Sequence, residues 1–95
     1  MLDLAQATCA DFAACLDQPF SLPTAAPAGF ALTLIEARLL GPRPGATREP
    51  FALKFKAAQP IRLPQAIYRL ENERLGAMEI FLVQIAPAEV EAVFN

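Results

Sequence analysis

Histidine is absent from the 95 residues of this sequence. Imidazole is the usual general base near neutral pH and a common zinc ligand, so its absence excludes the triads and cysteine–histidine pairs of many nucleophilic enzymes. The single serine, Ser21, does not lie in a GxSxG motif, and the chain has no GxGxxG, Walker or EF-hand pattern. We therefore predict that the protein is not an enzyme and uses no cofactor or metal.

Cysteine is nearly absent as well, since the chain contains only Cys9 and Cys15. If their segment is helical, their separation turns the two side chains about 240° apart, too far for a disulfide. The spacing is not CxxC and no histidine accompanies it, which disfavours a redox or metal role. The sequence predicts two reduced thiols that act as small apolar side chains.

Basic stripes and long apolar runs are also missing. The eight Lys and Arg residues are scattered between Arg38 and Arg74, and the formal net charge is −2. Nucleic-acid binding needs a concentrated positive surface, and a transmembrane helix needs about 20 consecutive apolar residues. The first apolar stretch is preceded by acidic rather than basic residues, unlike a secretory signal. We expect a cytoplasmic protein that binds neither nucleic acid nor membrane.

The apolar residues that are present suffice for one small core. Leu, Ile, Val, Met and Phe together number 30, and alanine contributes a further 19. A chain of this length buries roughly 60–65% of the surface that it exposes when unfolded. These numbers predict a single domain over residues 1–95.

A short helix is predicted near the start of the chain, over about residues 8–17. Thr8 and Asp11 have the spacing of a capping box, in which a hydroxyl and a carboxylate satisfy free amides at the first turn. Phe12 and Leu16, four residues apart, are expected to share its buried face. Pro19 ends the helix, because proline cannot continue one.

Six segments alternate between apolar and polar residues with the period of two that β-strands require. The clearest is FALKFK, in which Phe51, Leu53 and Phe55 alternate with alanine and two lysines. The predicted strands span about residues 20–22, 30–40, 51–57, 66–71, 77–86 and 89–94. We predict a mainly β fold with one short N-terminal helix, as a small antiparallel β-barrel or strongly twisted sheet of five or six strands.

Several of these strands carry more specific predictions. Residues 20–22, between two prolines, are expected to form a short edge strand at most. Within residues 30–40 the apolar side chains change face near Ile35, which predicts a bulge or strong coiling. Residues 78–85 are apolar on both faces, typical of a central strand or of one whose outer face meets the helix or another subunit. In the last strand we expect Val93 and Phe94 in the core.

Three arginines lie in or near the longest connection, GPRPGATREP at residues 41–50. Guanidinium groups pair with carboxylates and phosphates, so Arg38, Arg43 and Arg48 are a candidate anion contact. The favoured alternative is a mobile, solvated loop, since loops commonly carry charge and this one has no fixed geometry.

The stretch RLENERLG, residues 69–76, concentrates charge between two apolar runs. The alternation places Arg69 and Glu71 on the solvent side of a strand and Asn72 to Arg74 in a turn. Leu75 and Gly76 then start the next strand. The pattern favours a structural hairpin, whose exposed charges are available as the polar rim of an interface.

The leading functional hypothesis is a non-enzymatic interaction or structural module that docks on another protein or on a second copy of itself, as in a homodimer. Its candidate interface combines the charged hairpin with the strand that is apolar on both faces: Arg69, Glu71, Arg74, Glu79, Phe81 and Val83. The alternative is a small ligand-binding or catalytic barrel that uses Tyr68, Arg69 and Glu71 with the loop arginines. A polar-lined interior cavity of roughly a few hundred cubic ångströms would distinguish it.

Several motifs resemble a family of small uncharacterised bacterial proteins, a domain of unknown function. The matching segments are REPF at Arg48–Phe51, LPQ at Leu63–Gln65, YRLE at Tyr68–Glu71, LG at Leu75–Gly76, FLV at Phe81–Val83 and AVFN at Ala92–Asn95, with Asp11, Phe12, Pro19 and Phe20 before them. The chain departs from the family in having Gln18 where members often have glycine, and in the short lead APAEVE. The resemblance implies no assigned activity, and the position of some members near genes for phage-tail-collar-like proteins suggests an accessory role in such an assembly.

Overall fold

The computed structural model describes residues 1–23 and 30–95 as a closed six-stranded antiparallel β-barrel with one short helix. The strands follow the order β1-β2-β3-β6-β5-β4 around the barrel. The elements are α1 (Cys9–Ala13), β1 (Pro19–Leu22), β2 (Phe30–Leu39), β3 (Phe51–Lys56), β4 (Ala66–Asn72), β5 (Gly76–Ala86) and β6 (Glu89–Phe94). The predicted fold class, a small antiparallel barrel with a single short helix, is confirmed.

The helix begins as predicted but ends sooner. Thr8 and Asp11 form both hydrogen bonds of the capping box. The chain leaves the helix after Ala13, rather than at residue 17, and reaches Asp17, whose backbone is left-handed with φ 67°. The Asp17 amide donates to the carbonyl of Leu34 at 2.8 Å, so pairing with β2 replaces a further helical turn.

The early end of α1 changes which side chains it buries. Phe12 and Cys15 are fully buried, whereas Leu16 is 41% exposed. The prediction that Leu16 shares the buried face of Phe12 is therefore wrong. It assumed a regular helix through residue 16, and the turn that follows Ala13 rotates Leu16 towards solvent.

The strand at residues 20–22 is not an edge strand. All four residues of β1 pair with β2, and Ser21 pairs with Glu71 of β4 on the other side. Pro19 and Pro23 lie at and beyond the ends of the strand, where a missing amide costs little. Because β1 joins β2 to β4, this short strand closes the barrel.

The predicted irregularity in the second strand is confirmed as a register shift between Leu34 and Glu36. Before it, Leu32 and Leu34 point into the core, while Leu39 near the strand end is more than half exposed. An extra residue on one strand bends it and increases its twist, which a small barrel requires for closure.

The barrel interior is filled by aromatic and aliphatic side chains. The ring centroids of Phe51 and Phe94 are 4.7 Å apart with nearly parallel planes. Phe12 lies 5.9 Å from Phe51 and 5.7 Å from Phe94, and Phe20 meets Phe55 edge to face at 5.2 Å. Through Phe12 the helix covers one part of the barrel, and it packs on β2 and β3 rather than on β5.

The last strand places its two terminal apolar residues on opposite sides. Val90, Ala92 and Phe94 are buried, whereas Val93 is 54% exposed. The prediction of a core position for Val93 is therefore wrong. The period of two that puts Phe94 inside necessarily turns the neighbouring side chain outward.

Candidate interaction surface

The hairpin in RLENERLG is organised by one buried amide. Asn72 is 6% exposed and ends β4, and its Oδ1 accepts hydrogen bonds from the amides of Arg74 and Leu75, both at 2.9 Å. Gly76, with φ 82°, adopts the left-handed conformation that restarts the sheet. The turn is structural, and β4 extends one residue further than the predicted boundary.

The same amide also connects the hairpin to β1. Asn72 Nδ2 donates to the carbonyl of Pro19 at 3.1 Å and to Gln18 Oε1 at 3.4 Å. The Cys15 thiol is 3.7 Å from Asn72 Oδ1. A polar side chain on the inward face of a strand, just before a turn, is the signal by which this role could have been recognised.

Arg48 joins the start and the end of the described chain to the barrel. Its guanidinium donates to the carbonyls of Leu4 and Ala7, and its Nε donates to the carbonyl of Asn95 at 3.3 Å. The same group lies 5.3 Å from the ring centroid of Phe51 and 5.8 Å from that of Phe94. All these contacts are within the chain, which gives the arginine of the REPF motif a structural role.

Two of the three arginines of the candidate anion contact, Arg43 and Arg48, share Asn95 as a partner, whereas Arg38 does not. Arg43 donates to Asn95 Oδ1 at 2.8 Å, and Arg38 forms ion pairs with Glu36 at 2.7 Å and with Glu91 at 3.4 Å. The hydrogen bond to Glu36 raises the pKa of Arg38. The structure therefore brings Arg43 and Arg48 together at Asn95, directs Arg38 to two carboxylates, and engages all three guanidinium groups with other parts of the chain.

The residues of the proposed ligand barrel are likewise engaged with their neighbours. The Tyr68 hydroxyl donates to the carbonyl of Pro64 at 2.6 Å. Arg69 Nε lies 3.0 Å from Glu71 Oε2, with both side chains about two-fifths exposed. Such exposed pairs contribute less than about 1 kcal/mol, so Arg69 and Glu71 can change partners at little cost.

An apolar surface lies on the outside of β4, β5 and β6. Ile67 is 67% exposed and pairs directly across the strands with Phe81, which is 48% exposed. Val83, half-buried, follows two residues later on the same side of β5 and pairs with Glu91 of β6. We call Ile67, Phe81, Val83 and the exposed Val93 the β5 face.

The position of Val93 in this face follows from the register. The β5–β6 ladder ends at the pair of Val83 with Glu91, and Val93 lies two residues beyond Glu91 on the same outer side of β6. Ile67 and Val93 are absent from the interface residues predicted above. Their signal is present in the alternation, which places both on the outer side.

Charged side chains border the β5 face on two sides. On one side, Arg69 pairs across the strands with the exposed Glu79. On the other side, Glu91 lies between Val83 of β5 and Lys54 of β3. Arg74, the remaining predicted interface residue, is exposed in the hairpin turn. An apolar centre with a mixed polar border is the common anatomy of protein interfaces.

Both cysteines are free thiols, as predicted. Burial, followed by the nearby Glu49 carboxylate, raises the pKa of Cys9. Burial also raises the pKa of Cys15, an effect that Arg74 opposes and Asp11 reinforces. Raised pKa values keep both thiols protonated near neutral pH, which disfavours thiolate chemistry.

Gln84 fixes the connection between β3 and β4, a role that the sequence did not indicate. Its Nε2 donates to the carbonyls of Ile61 at 2.8 Å and Ala86 at 3.0 Å. Its Oε1 accepts from the amide of Leu63 at 2.8 Å. The residue lies at a register shift in the β5–β6 pairing, where the interrupted ladder needs side-chain hydrogen bonds.

Two further observations concern residues 1–23 and 30–95 alone. No helix in these ranges is long and apolar enough to cross a membrane. Across the same ranges, His, Cys, Asp and Glu side chains do not come together in groups of three or more that could hold a metal ion.

Comparisons with known proteins identify the family and no individual relative. Neither the curated proteins nor the solved structures give a match to this chain. A family model does match, and it covers residues 7–94, from the residue before the helix cap to the last residue of β6. The chain belongs to the family described as Domain of unknown function (DUF6916).

Proposed function

We propose that this protein is a non-enzymatic interaction module that docks on a protein partner through the β5 face. The observation that carries the proposal is the exposed Phe81, placed opposite the exposed Ile67 on the outside of a barrel whose interior is already filled. These side chains do not contribute to the core, so we attribute their exposed position to contact with a partner.

The size of the β5 face supports a docking role. From the usual areas of such side chains, the exposed parts of Ile67, Phe81 and Val93 amount to about 300 Å², which is the range of the largest patch on many monomers. Phenylalanine is enriched at protein interfaces, where aromatic groups fill the desolvated centre. The charged border formed by Arg69, Glu79 and Glu91 would supply the polar rim.

Photo-crosslinking from position 81 tests this proposal in the natural host. A photoreactive phenylalanine analogue at Phe81 should give a discrete protein adduct, identified by mass spectrometry. The same analogue at Leu40, which is 39% exposed outside the β5 face, should not give that adduct. Adding Ile67→Glu to the position 81 probe should abolish it. Equal adducts from positions 81 and 40, or none from either, would contradict docking through this face.

The family resemblance suggests where the partner is found. The resemblance implies that some members lie near genes for phage-tail-collar-like proteins, and on that basis we propose an accessory role in a phage-tail-like assembly. Co-expression with the neighbouring genes should yield a complex that co-purifies, and Phe81→Glu should release it while Leu40→Glu should not. A complex that withstands Phe81→Glu would place its contact elsewhere.

We further propose that the protein works in a bacterial cytoplasm. Supporting this location, Cys9 and Cys15 are unpaired thiols, which reducing compartments favour. Fractionation of host cells should recover the protein with cytoplasmic markers, and its recovery with periplasmic or membrane markers would contradict the location. The alternative of a ligand-binding or catalytic barrel stays a prediction of the sequence, since the filled interior and the internal contacts of Tyr68, Arg69 and Glu71 do not favour it.

A further inference from the structure

We infer that the occupant of the β5 face is a second copy of this chain, related by a two-fold axis through Phe81 that sets Arg69 of each copy against Glu91 of the other. This inference rests on the proposed docking function and specifies its partner. It follows from the arrangement of charge around Phe81 and from the register of three neighbouring strands.

Arg69 and Glu91 occupy opposite corners of the face. Arg69 lies on β4 opposite Glu79, which is two residues before Phe81 on β5. Glu91 lies on β6 opposite Val83, which is two residues after Phe81. With strands about 4.8 Å apart and about 3.4 Å per residue, each corner is about 8 Å from Phe81, in opposite directions.

The line from Arg69 through Phe81 to Glu91 is a diagonal of the face. A two-fold axis that lies in the plane of the face, perpendicular to this line, exchanges the positions of Arg69 and Glu91. It passes through Phe81, so the two phenylalanine rings meet each other, and Arg69 of one copy faces Glu91 of the other twice. The same operation moves Ile67 close to Val83 of the second copy. From the strand spacings, the two sets of strands cross at about 70°, near the orthogonal class of sheet packing.

The charge pattern favours a second copy over a strongly charged partner. Both signs occur on each side of the face, with Arg69 and Glu79 on one side and Lys54 and Glu91 on the other. A uniformly acidic or basic partner would meet like charge at one corner. A second copy meets the opposite charge at both corners, and a net charge of only −2 gives two copies little mutual repulsion.

The existing ion pairs leave these groups free to bind across the interface. Arg69 and Glu71 are both about two-fifths exposed, and the Glu91 side chain is one-quarter exposed while it pairs with Arg38 at 3.4 Å. A guanidinium has five N–H donors and a carboxylate has several acceptor positions. Arg69 and Glu91 can therefore add the contact between copies without losing their present partners.

Sedimentation velocity of the full chain provides the first test. The wild type should dimerise with a Kd on the order of 10 µM, because the apolar area is modest. Phe81→Glu and Phe81→Ala should each weaken dimerisation at least tenfold, whereas the matched control Leu40→Glu should not change it. A wild type that is monomeric at about 1 mM, a hundredfold above that Kd, or a dimer that is insensitive to both Phe81 variants, would overturn the inference.

Charge reversal tests the geometry. Arg69→Glu sets two acidic groups against each other at both corners, and Glu91→Arg sets two arginines there, so each variant alone should dimerise at least tenfold more weakly. An equimolar mixture should recover the wild-type affinity as a heterodimer, because each corner then sets an acidic side chain of one copy against an arginine of the other. Circular dichroism checks that both charge-reversal variants fold. Arg69→Gln and Glu91→Gln, which remove the charge without reversing it, replace any variant that does not fold. Failure of the mixture to recover dimerisation would overturn the two-fold arrangement.

The two proposals can fail separately. If the position 81 probe crosslinks to a different protein and the purified chain stays monomeric, the β5 face is a docking surface but its partner is not a second copy. If the probe gives no adduct and the chain is monomeric, both proposals are wrong. An adduct with the mass of two chains supports both.

Discussion

At the scale of single residues, polar side chains with several partners hold the joints of this barrel. Asn72 binds the hairpin amides and the carbonyl of Pro19. Arg48 binds two carbonyls near the start of the described chain, at residues 4 and 7, and a third at residue 95. Each satisfies backbone groups that strand pairing leaves without a partner, in the hairpin turn for Asn72 and outside the strands for Arg48. Removing such a group leaves its partners unsatisfied, which costs more than the net value of the hydrogen bonds themselves.

Asn72→Ala should lower the free energy of unfolding by about 2–3 kcal/mol, because two amides and a carbonyl lose their partner in a part-buried site. Urea denaturation at neutral pH measures the loss. Glu73→Ala, one residue further along the turn and exposed, should stay within about 0.5 kcal/mol of the wild type. Equal effects of the two substitutions would show that Asn72 does not organise the hairpin.

Arg48→Ala should cost about 2–4 kcal/mol of unfolding free energy, through lost hydrogen bonds and lost packing over Phe51 and Phe94. Arg48→Lys should recover only part of it, since an ammonium cannot reproduce the planar fork of donors. Arg43→Ala, which removes one exposed contact, is the matched control and should change stability little. Thermal melting followed by circular dichroism measures these changes. An Arg48→Lys variant as stable as the wild type would contradict the proposed role of the guanidinium group.

The pH dependence of stability should include a contribution from Cys15. Burial raises the pKa of this thiol above its ordinary value of 9.0, so the unfolded chain loses the thiol proton at lower pH than the folded one. The contribution is therefore fully present below pH 9.0 and is lost as the pH rises through the folded value. Urea titrations between neutral pH and pH 10 should show a shallower decline for Cys15→Ala than for the wild type. Parallel declines would contradict the assignment.

At the scale of elements, local alternation predicts the faces of most strands. In β3 the apolar residues at positions 51, 53 and 55 are all buried, as the period indicates. Errors occur where an element ends or turns, because those points depend on contacts made elsewhere. The helix ends at Ala13, and four residues later Asp17 pairs with Leu34 of β2. The sequence near either residue contains no indication of the other.

The last strand offers a direct test of face assignment. Phe94→Ala should destabilise the protein by about 3–5 kcal/mol, because the ring stacks on Phe51 in the core. Val93→Thr preserves the β-branched shape on the outer face and should cost less than about 0.5 kcal/mol. Chemical denaturation of the two variants measures both values. A large loss of unfolding free energy with Val93→Thr would show that Val93 contributes to the core.

At the scale of the whole molecule, the barrel is closed unevenly. All six residues of β3 pair with both β2 and β6, whereas β1 and β4 are joined through the single pair Ser21 and Glu71. Local opening should begin where few backbone bonds must break. The β1–β4 seam is therefore the least stable part of the ladder, and β3 the most stable.

Hydrogen exchange should reproduce this order. Amides of β3 should exchange only through global unfolding, while those of β1 and the adjoining part of β4 should exchange at least tenfold faster. Measurement by mass spectrometry or NMR in native buffer resolves the strands. Asn72→Ala should accelerate exchange in the seam more than in β3, and uniform protection across the barrel would contradict a weak seam.

The candidate surface was only partly predictable. Phe81, Val83, Glu79 and Arg69 follow from alternation along two strands, and all four lie in or beside the β5 face. The prediction of a core position for Val93 took its apolar character as decisive, although the alternation that buries Phe94 turns Val93 outward. Its position relative to β5 depends on the pairing of Val83 with Glu91, which no short-range pattern contains.

The sequence by itself determined the class of fold, the capping box, the bulge in β2 and the structural nature of the RLENERLG hairpin. These features depend on residues within a few positions of each other, so composition and period carry them. Only the tertiary structure decided that β1 closes the barrel, that Arg48 contacts both ends of the described chain and that Val93 completes an exposed face. Those outcomes depend on which distant segments contact each other. The contacts of the whole packed barrel together determine that arrangement, because it has a lower free energy than the alternatives.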